Sequence, residues 1–255
     1  MSITPPSSHR TAFPVVIVTG SARRVGAAIS RELHQLGASL ALHYRTSKDE
    51  AERLAAEFNA IRPGSAWTVD GDLARDDVAQ RLADATLAHF GRVDALVNNA
   101  SDFFPTPLGQ IDNKAWDRLI GSNLKAPLFL TQALAPALTA AQGAVVNIVD
   151  IHAERPLRHY PLYCAAKAGL AGLTRALALE LAPAVRVNGI APGPVAWPED
   201  EQFSATERER VLAHTLLRRA GSPEDIARTT AFLLFDAPYI TGQILAVDGG
   251  RSAHL

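Results

Sequence analysis

Two kinds of periodicity alternate along this chain from Val15 onward. Short apolar runs at Val15–Val18, Ser39–His43, Trp67–Val69, Ala95–Val97, Ala144–Val149, Val185–Ile190 and Ile244–Val247 have the length and composition of strands. Between them, apolar residues recur at helical spacing, as in Val25, Ile29 and Leu33, or Leu170, Leu173, Leu177 and Leu181. Two of the helical segments are long, at about 112–138 and 160–182. Strands that are apolar at successive positions are buried on both faces, and helical crossovers join parallel neighbours. The pattern predicts an α/β fold: one doubly wound domain with a seven-stranded parallel sheet and helices on both faces. No repeat, charge block or linker divides it. Residues 1–12, rich in Ser, Pro and Thr, read as a disordered lead, and 13–255 as a single domain.

Composition narrows the function. With 255 residues, 47% hydrophobic content and a net charge of −1, the chain has no basic excess for nucleic acid or an anionic membrane. No apolar run is long enough to span a bilayer. The single cysteine, Cys164, rules out an internal disulfide and fits a reducing, cytoplasmic setting. With no base beside it in sequence, it reads as a packed structural thiol. No metal site is expected.

In doubly wound sheets ligands bind at the carboxyl ends of the strands. There the first strand runs into Thr19-Gly20-Ser21-Ala22-Arg23-Arg24-Val25-Gly26 and a helix. Gly20 permits a tight turn, Gly26 permits close helix packing, and the helix N-terminus offers free N–H groups to a pyrophosphate. Cations are disfavoured at that end by about 0.3–1 kcal/mol, so Arg23 and Arg24 point to an anion that offsets the cost. After the second strand, His43, Tyr44, Arg45, Thr46 and Ser47 supply charge and donors where a free 2′-hydroxyl would call for an acid. The expected cofactor is therefore NADPH/NADP.

Tyr163 and Lys167 share one helix face. Lysine is scarce: Lys48, Lys114 and Lys125 are the only others among 25 Lys and Arg residues. An ammonium beside a phenol is expected to draw its pKa toward the working range and make a proton donor for hydride transfer. Asp150 precedes the tyrosine by thirteen residues. A carboxylate there would repel a ketone's developing oxyanion, so it bears on which substrate is used.

Asn98-Asn99-Ala100, Asn123, Tyr163/Lys167, Arg186-Val-Asn-Gly-Ile-Ala-Pro192-Gly193 and Asp248-Gly249-Gly250, in this order, resemble the short-chain dehydrogenase/reductase family, over residues 14 to about 250. Within it the chain is most similar to the pteridine reductases: Arg24 replaces a glycine, Asn99-Ala100-Ser101-Asp102-Phe103-Phe104-Pro105 resembles a pterin-binding stretch, and Asp150 stands at a usual serine. The resemblance implies a Rossmann-type NADP-binding domain whose cofactor contacts also include Asp72, Leu73, Asn99, Ala100, Ser101, Tyr163, Lys167, Pro192 and Gly193. It implies Asp150, Tyr163, Lys167 and Asn123 as catalytic residues, with Asn123 supporting the proton relay. It implies a substrate site of Arg24, Ser101, Phe103, Asp150, Tyr163 and Trp197 under a lid at about 195–212. Phe103 offers a flat wall for a flat ring. The small-molecule substrate is expected to be a dihydropterin of biopterin, monapterin or folate type, and the assembly a homotetramer. Two alternatives stay open: a ketone/alcohol oxidoreductase of the same fold, for which Asp150 is the discriminating residue, and an NADP-sensing protein, which would need no proton donor.

Overall fold

The computed structural model describes residues 13–195, 197 and 204–253. The expected lead at 1–12 and residues 196 and 198–203 of the expected lid lie outside the described residues. In chain order the elements are β1 (Val15–Val18), α1 (Arg24–Gln35), β2 (Ser39–Tyr44), α2 (Lys48–Ile61), β3 (Ala66–Asp70), α3 (Val78–Phe90), β4 (Ala95–Asn98) and α4 (Asn113–Ile120). They continue with α5 (Ala126–Ala140), β5 (Ala144–Ile148), α6 (Pro161–Leu181), β6 (Arg186–Pro192), α7 (Ala205–Ala213), α8 (Pro223–Phe235) and β7 (Ile244–Val247).

The seven strands form one sheet in the order β3-β2-β1-β4-β5-β6-β7, and every pairing is parallel. Alternation along each strand builds two cores. Val16, Val18, Leu40, Leu42, Val97 and Val146 pack beneath α1 and α8 against Ile29, Leu33, Ile226 and Leu234. Ile17, Ala41, Leu96, Val145 and Val187 face the other way, onto Leu82 of α3 and Leu130 and Leu134 of α5. The chain winds outward from β1 in one direction and from β4 in the other. The crevice between those two strands is where such a sheet binds ligands.

The helix expected over 112–138 is instead two helices joined by a wide π turn at Gly121–Lys125. Asn123 accounts for the break. Its side-chain amide donates to the Leu119 carbonyl at 3.0 Å, the oxygen an α-helix would reserve for the Asn123 backbone N–H. β2 and β3 run further than their apolar runs because Tyr44 pairs with Asp70 beyond them. Helix α7 opens on a capping box, Ser204 with Glu207, the Ser-x-x-Glu signature of a helix start.

Candidate active site

The turn between β1 and α1 is held by close backbone packing. Gly20 takes φ +62, and a Cβ on it would stand 3.0 Å from the Ala100 Cα. A Cβ on Gly26 would reach to 2.0 Å from the Gly20 carbonyl oxygen. The first turn of α1 carries no acidic residue and no side-chain cap, so its N–H groups face outward for an anion. This cradle fits the pyrophosphate of a dinucleotide.

His43 braces the turn from below. Its ring Nδ1 accepts from the Gly20 N–H at 3.3 Å, and Nε2 lies 3.0 Å from the Gly71 carbonyl. Both contacts together require the neutral ring protonated on Nε2. Burial pushes its pKa down to about 4. Its imidazole thus supports the cradle, where the sequence had placed it only among cofactor contacts. The unfolded chain binds this proton near the ordinary value of 6.5, the folded chain only near 4. The stability contributed by the neutral ring is therefore complete above about 6.5 and is lost as pH falls toward 4. Thermal unfolding across this window is expected to show that loss, and His43→Gln, which does not titrate, is expected to lack this part of it.

Arg24 sits at φ +52, in the left-handed region where only glycine is free of strain, at a cost of about 1 kcal/mol. Its guanidinium donates to the Trp197 carbonyl at 3.3 Å, tying the β1–α1 turn to the segment that follows β6. Arg208 of α7 lies over the Trp197 ring at 5.5 Å. Tyr44, Thr46 and Ser47 line the cleft in the turn after β2, beside Arg45, whose fork is engaged by Asp102 at 2.8 and 3.1 Å.

The Tyr163 hydroxyl donates to Asp150 Oδ2 at 2.6 Å, and Oδ1 accepts the His152 backbone N–H at 2.8 Å. Asp150 caps the short 3-10 turn Ile151–Ala153, which fixes its carboxylate across from α6. Lys167 is buried, donates to the Ile148 carbonyl at 2.8 Å, and stands 5.7 Å from the centre of the Tyr163 ring. Burial pushes it down to about 8. The expectation that this ammonium lowers the tyrosine is corrected here. Burial, and then the charge and hydrogen bond of Asp150, push Tyr163 well above its ordinary value, with Ser101 pulling the other way. The phenol is held neutral, with its proton in place.

Asn123 is wholly buried. It accepts from the Ser101 hydroxyl at 2.6 Å and donates to the Asp102 carbonyl at 2.9 Å. Its side chain is spent on positioning Ser101 and the strand-end loop, and it does not line the cleft. Phe103 is stacked on Tyr160 at 4.6 Å and edge-on to Tyr163 at 4.8 Å, so the ring expected to hold substrate is itself oriented by two tyrosines.

Every other residue expected to touch cofactor or substrate lines one cleft of about 680 Å³ over the β1/β4 crevice, including Asp72 and Leu73 after β3 and Pro192 and Gly193 after β6. His152, beside Asp150, and Val211, within the 195–212 segment, also line it, as do Asp102 and Arg251, which no motif marks as cleft residues. Asp102 lies within Asn99–Pro105, but nothing in its spacing tells that it reaches Arg45. Cys164 is buried, its thiol contacting Leu157, as a packed thiol should be. No helix among the described residues is long and apolar enough to cross a membrane.

A family profile described as Enoyl-(Acyl carrier protein) reductase matches residues 20–252. Among curated proteins, "Pteridine reductase 1" of Leishmania tarentolae is 39% identical, covering 94% of this chain and 96% of that protein. The 3-oxoacyl-(acyl-carrier-protein) reductase FabG of Staphylococcus epidermidis is 34% identical over 92% of this chain and 97% of its own. The same enzyme of Staphylococcus aureus is 34% identical over 92% and 96%.

Proposed function

The chain belongs to the short-chain dehydrogenase/reductase family of oxidoreductases, whose members use a nicotinamide cofactor, and on that footing we propose that it is an NADPH-dependent pteridine reductase. It would reduce a dihydropterin of biopterin, monapterin or folate type to the tetrahydro form. The observation that carries this reading is the 2.6 Å hydrogen bond from Tyr163 to Asp150.

NADPH, when bound, supplies a hydride. The residues of this chain hold the ring and deliver the proton. Gly20, Gly26 and the α1 N-terminus receive the pyrophosphate, and the turn at Arg45, Thr46 and Ser47 receives the 2′-phosphate. Phe103, set by Tyr160 and Tyr163, forms one wall for a flat ring, while Arg24 and Trp197 border the opening. Tyr163, held against the Asp150 carboxylate, passes its phenol proton to the ring nitrogen. A carboxylate partner keeps the phenol protonated until a basic nitrogen arrives. Lys167 then offsets the negative charge left on the pair.

This charge is pH-dependent. Lys167 is protonated below about 8 and loses its charge as pH rises through that value. Turnover at saturating substrate is expected to fall on the alkaline side with a midpoint near 8. Lys167→Arg, which stays charged, is expected to remove this limb from the kcat profile even if its overall rate is lower.

The reading is tested by NADPH oxidation with dihydrobiopterin, dihydromonapterin and dihydrofolate against a panel of 3-oxoacyl thioesters and simple ketones. Efficient turnover of the ketones with none of the pterins would replace this reading by a carbonyl reductase. The homotetramer belongs to the same proposal. Phe129 of α5 and Leu179 of α6 are exposed on the long helices, as an association face requires. A solution mass near that of a single 27.2 kDa chain would refute it.

A further inference from the structure

We propose that Asp102 is the positioning residue for cofactor selection: its carboxylate fixes the Arg45 fork across the crevice so that the remaining N–H groups meet the 2′-phosphate. The proposal rests on the NADPH reading above and deepens it. Arg45 follows β2, while Asp102 follows β4, two strands away, so the pair spans roughly 10 Å of sheet edge above the glycine turn.

The contact is bidentate, Nη1 to Oδ2 at 2.8 Å and Nη2 to Oδ1 at 3.1 Å, the planar match that carboxylate and guanidinium form best. It occupies two of the five N–H donors of Arg45 and leaves three. Arg118 of α4 donates to the same Oδ1 at 3.0 Å, and its own guanidinium lies 4.9 Å from the Phe104 ring. Two cations on one carboxylate leave the cluster with a net positive charge. The carboxylate is the buried member, with its side chain 10% exposed, whereas that of Arg45 is 40% exposed. Burial works to raise the Asp102 carboxyl, but the hydrogen bonds of Arg45 and Arg118 outweigh it and keep it below its ordinary range. The anion is therefore the fixed point, and the exposed arginine is what it aims.

The backbone of Asp102 is anchored independently. Its N–H donates to the Ser122 hydroxyl at 3.3 Å, and its carbonyl accepts from Asn123 at 2.9 Å. A change at the carboxylate consequently reports on Arg45 without first displacing Ser101 or Phe103. Without its anchor, Arg45 has the freedom of an ordinary surface arginine and must be ordered by the phosphate itself.

Fluorescence titration of NADPH and NADH separates the possibilities without turnover. In Asp102→Asn, NADPH affinity is expected to fall about tenfold while NADH affinity changes by less than about twofold. In an Arg45→Ala background, adding Asp102→Asn is expected to change NADPH affinity by less than about twofold, because the residue it acts through is gone. Asp102→Glu, which keeps the charge, is expected to recover part of the preference. If Asp102→Asn does not fold, Asp102→Ser, which also removes the carboxylate and leaves Arg45 in place, carries the same expectation. Unchanged discrimination in Asp102→Asn, or tighter NADPH binding as if the carboxylate had competed with the phosphate, would overturn the proposal alone. Wild-type protein binding NADH as tightly as NADPH would overturn the cofactor reading, and this proposal with it.

Discussion

Replacing Tyr163 by phenylalanine is expected to lower kcat for dihydropterin reduction by roughly 10²–10⁴-fold, the range that a positioned proton donor supplies. The ring should stay where it is. It is buried and packed edge-on against Phe103 at 4.8 Å, contacts that phenylalanine preserves. What disappears is the hydroxyl that reaches Asp150 Oδ2 at 2.6 Å, and with it the neutral donor that burial and the carboxylate keep protonated. NADPH affinity by fluorescence titration should remain near that of the wild type, because phosphate binding is assigned to the glycine turn and the turn after β2. Retention of more than about a tenth of kcat would show that another group delivers the proton.

Replacing Asp150 by serine is expected to lower dihydropterin turnover by about 10²-fold or more, while 3-oxoacyl or ketone reduction rises from its wild-type level. The argument is one of charge. A carboxylate beside the reacting atom repels a developing oxyanion, whereas a serine hydroxyl is a neutral donor to it. A ring nitrogen that gains a proton has the opposite need. Removing the carboxylate also removes part of what raises the Tyr163 phenol, so the variant's pH profile is expected to shift toward lower pH. The comparison discriminates sharply, because relatives named as pteridine reductase and as 3-oxoacyl reductase both align along nearly the whole chain. Full pterin turnover in Asp150→Ser, or wild-type protein already reducing ketones as fast as the variant, would remove the carboxylate from the mechanism.

Much of the architecture was legible before any coordinates. The strand runs and helical spacings predicted a seven-stranded parallel sheet, and the sheet is observed with β1 and β7 as expected and the other strands shifted by one or two residues at one or both ends. Three of those shifts occur where polar residues, Tyr44, Asp70 and Asn98, continue a ladder that hydrophobicity alone does not mark. The break at Asn123 is not marked by hydrophobic periodicity. A helix-period pattern continues through it, and only the side chain's competition for the Leu119 carbonyl opens the turn. Similarly, Tyr163 and Lys167 at i and i+4 were rightly placed on one helix face, but the lysine bonds the Ile148 carbonyl and not the phenol.

The sequence by itself determined which residues gather at the crevice, because strand and helix periods are local and the carboxyl ends of parallel strands converge. Only the tertiary structure decided what those residues do to one another. The neutrality of His43 and Tyr163, the lowered pKa of Lys167 and the pairing of Arg45 with Asp102 all depend on desolvation and on partners distant in the chain. Burial and charge act through space, so a pattern read along the backbone cannot carry their sign.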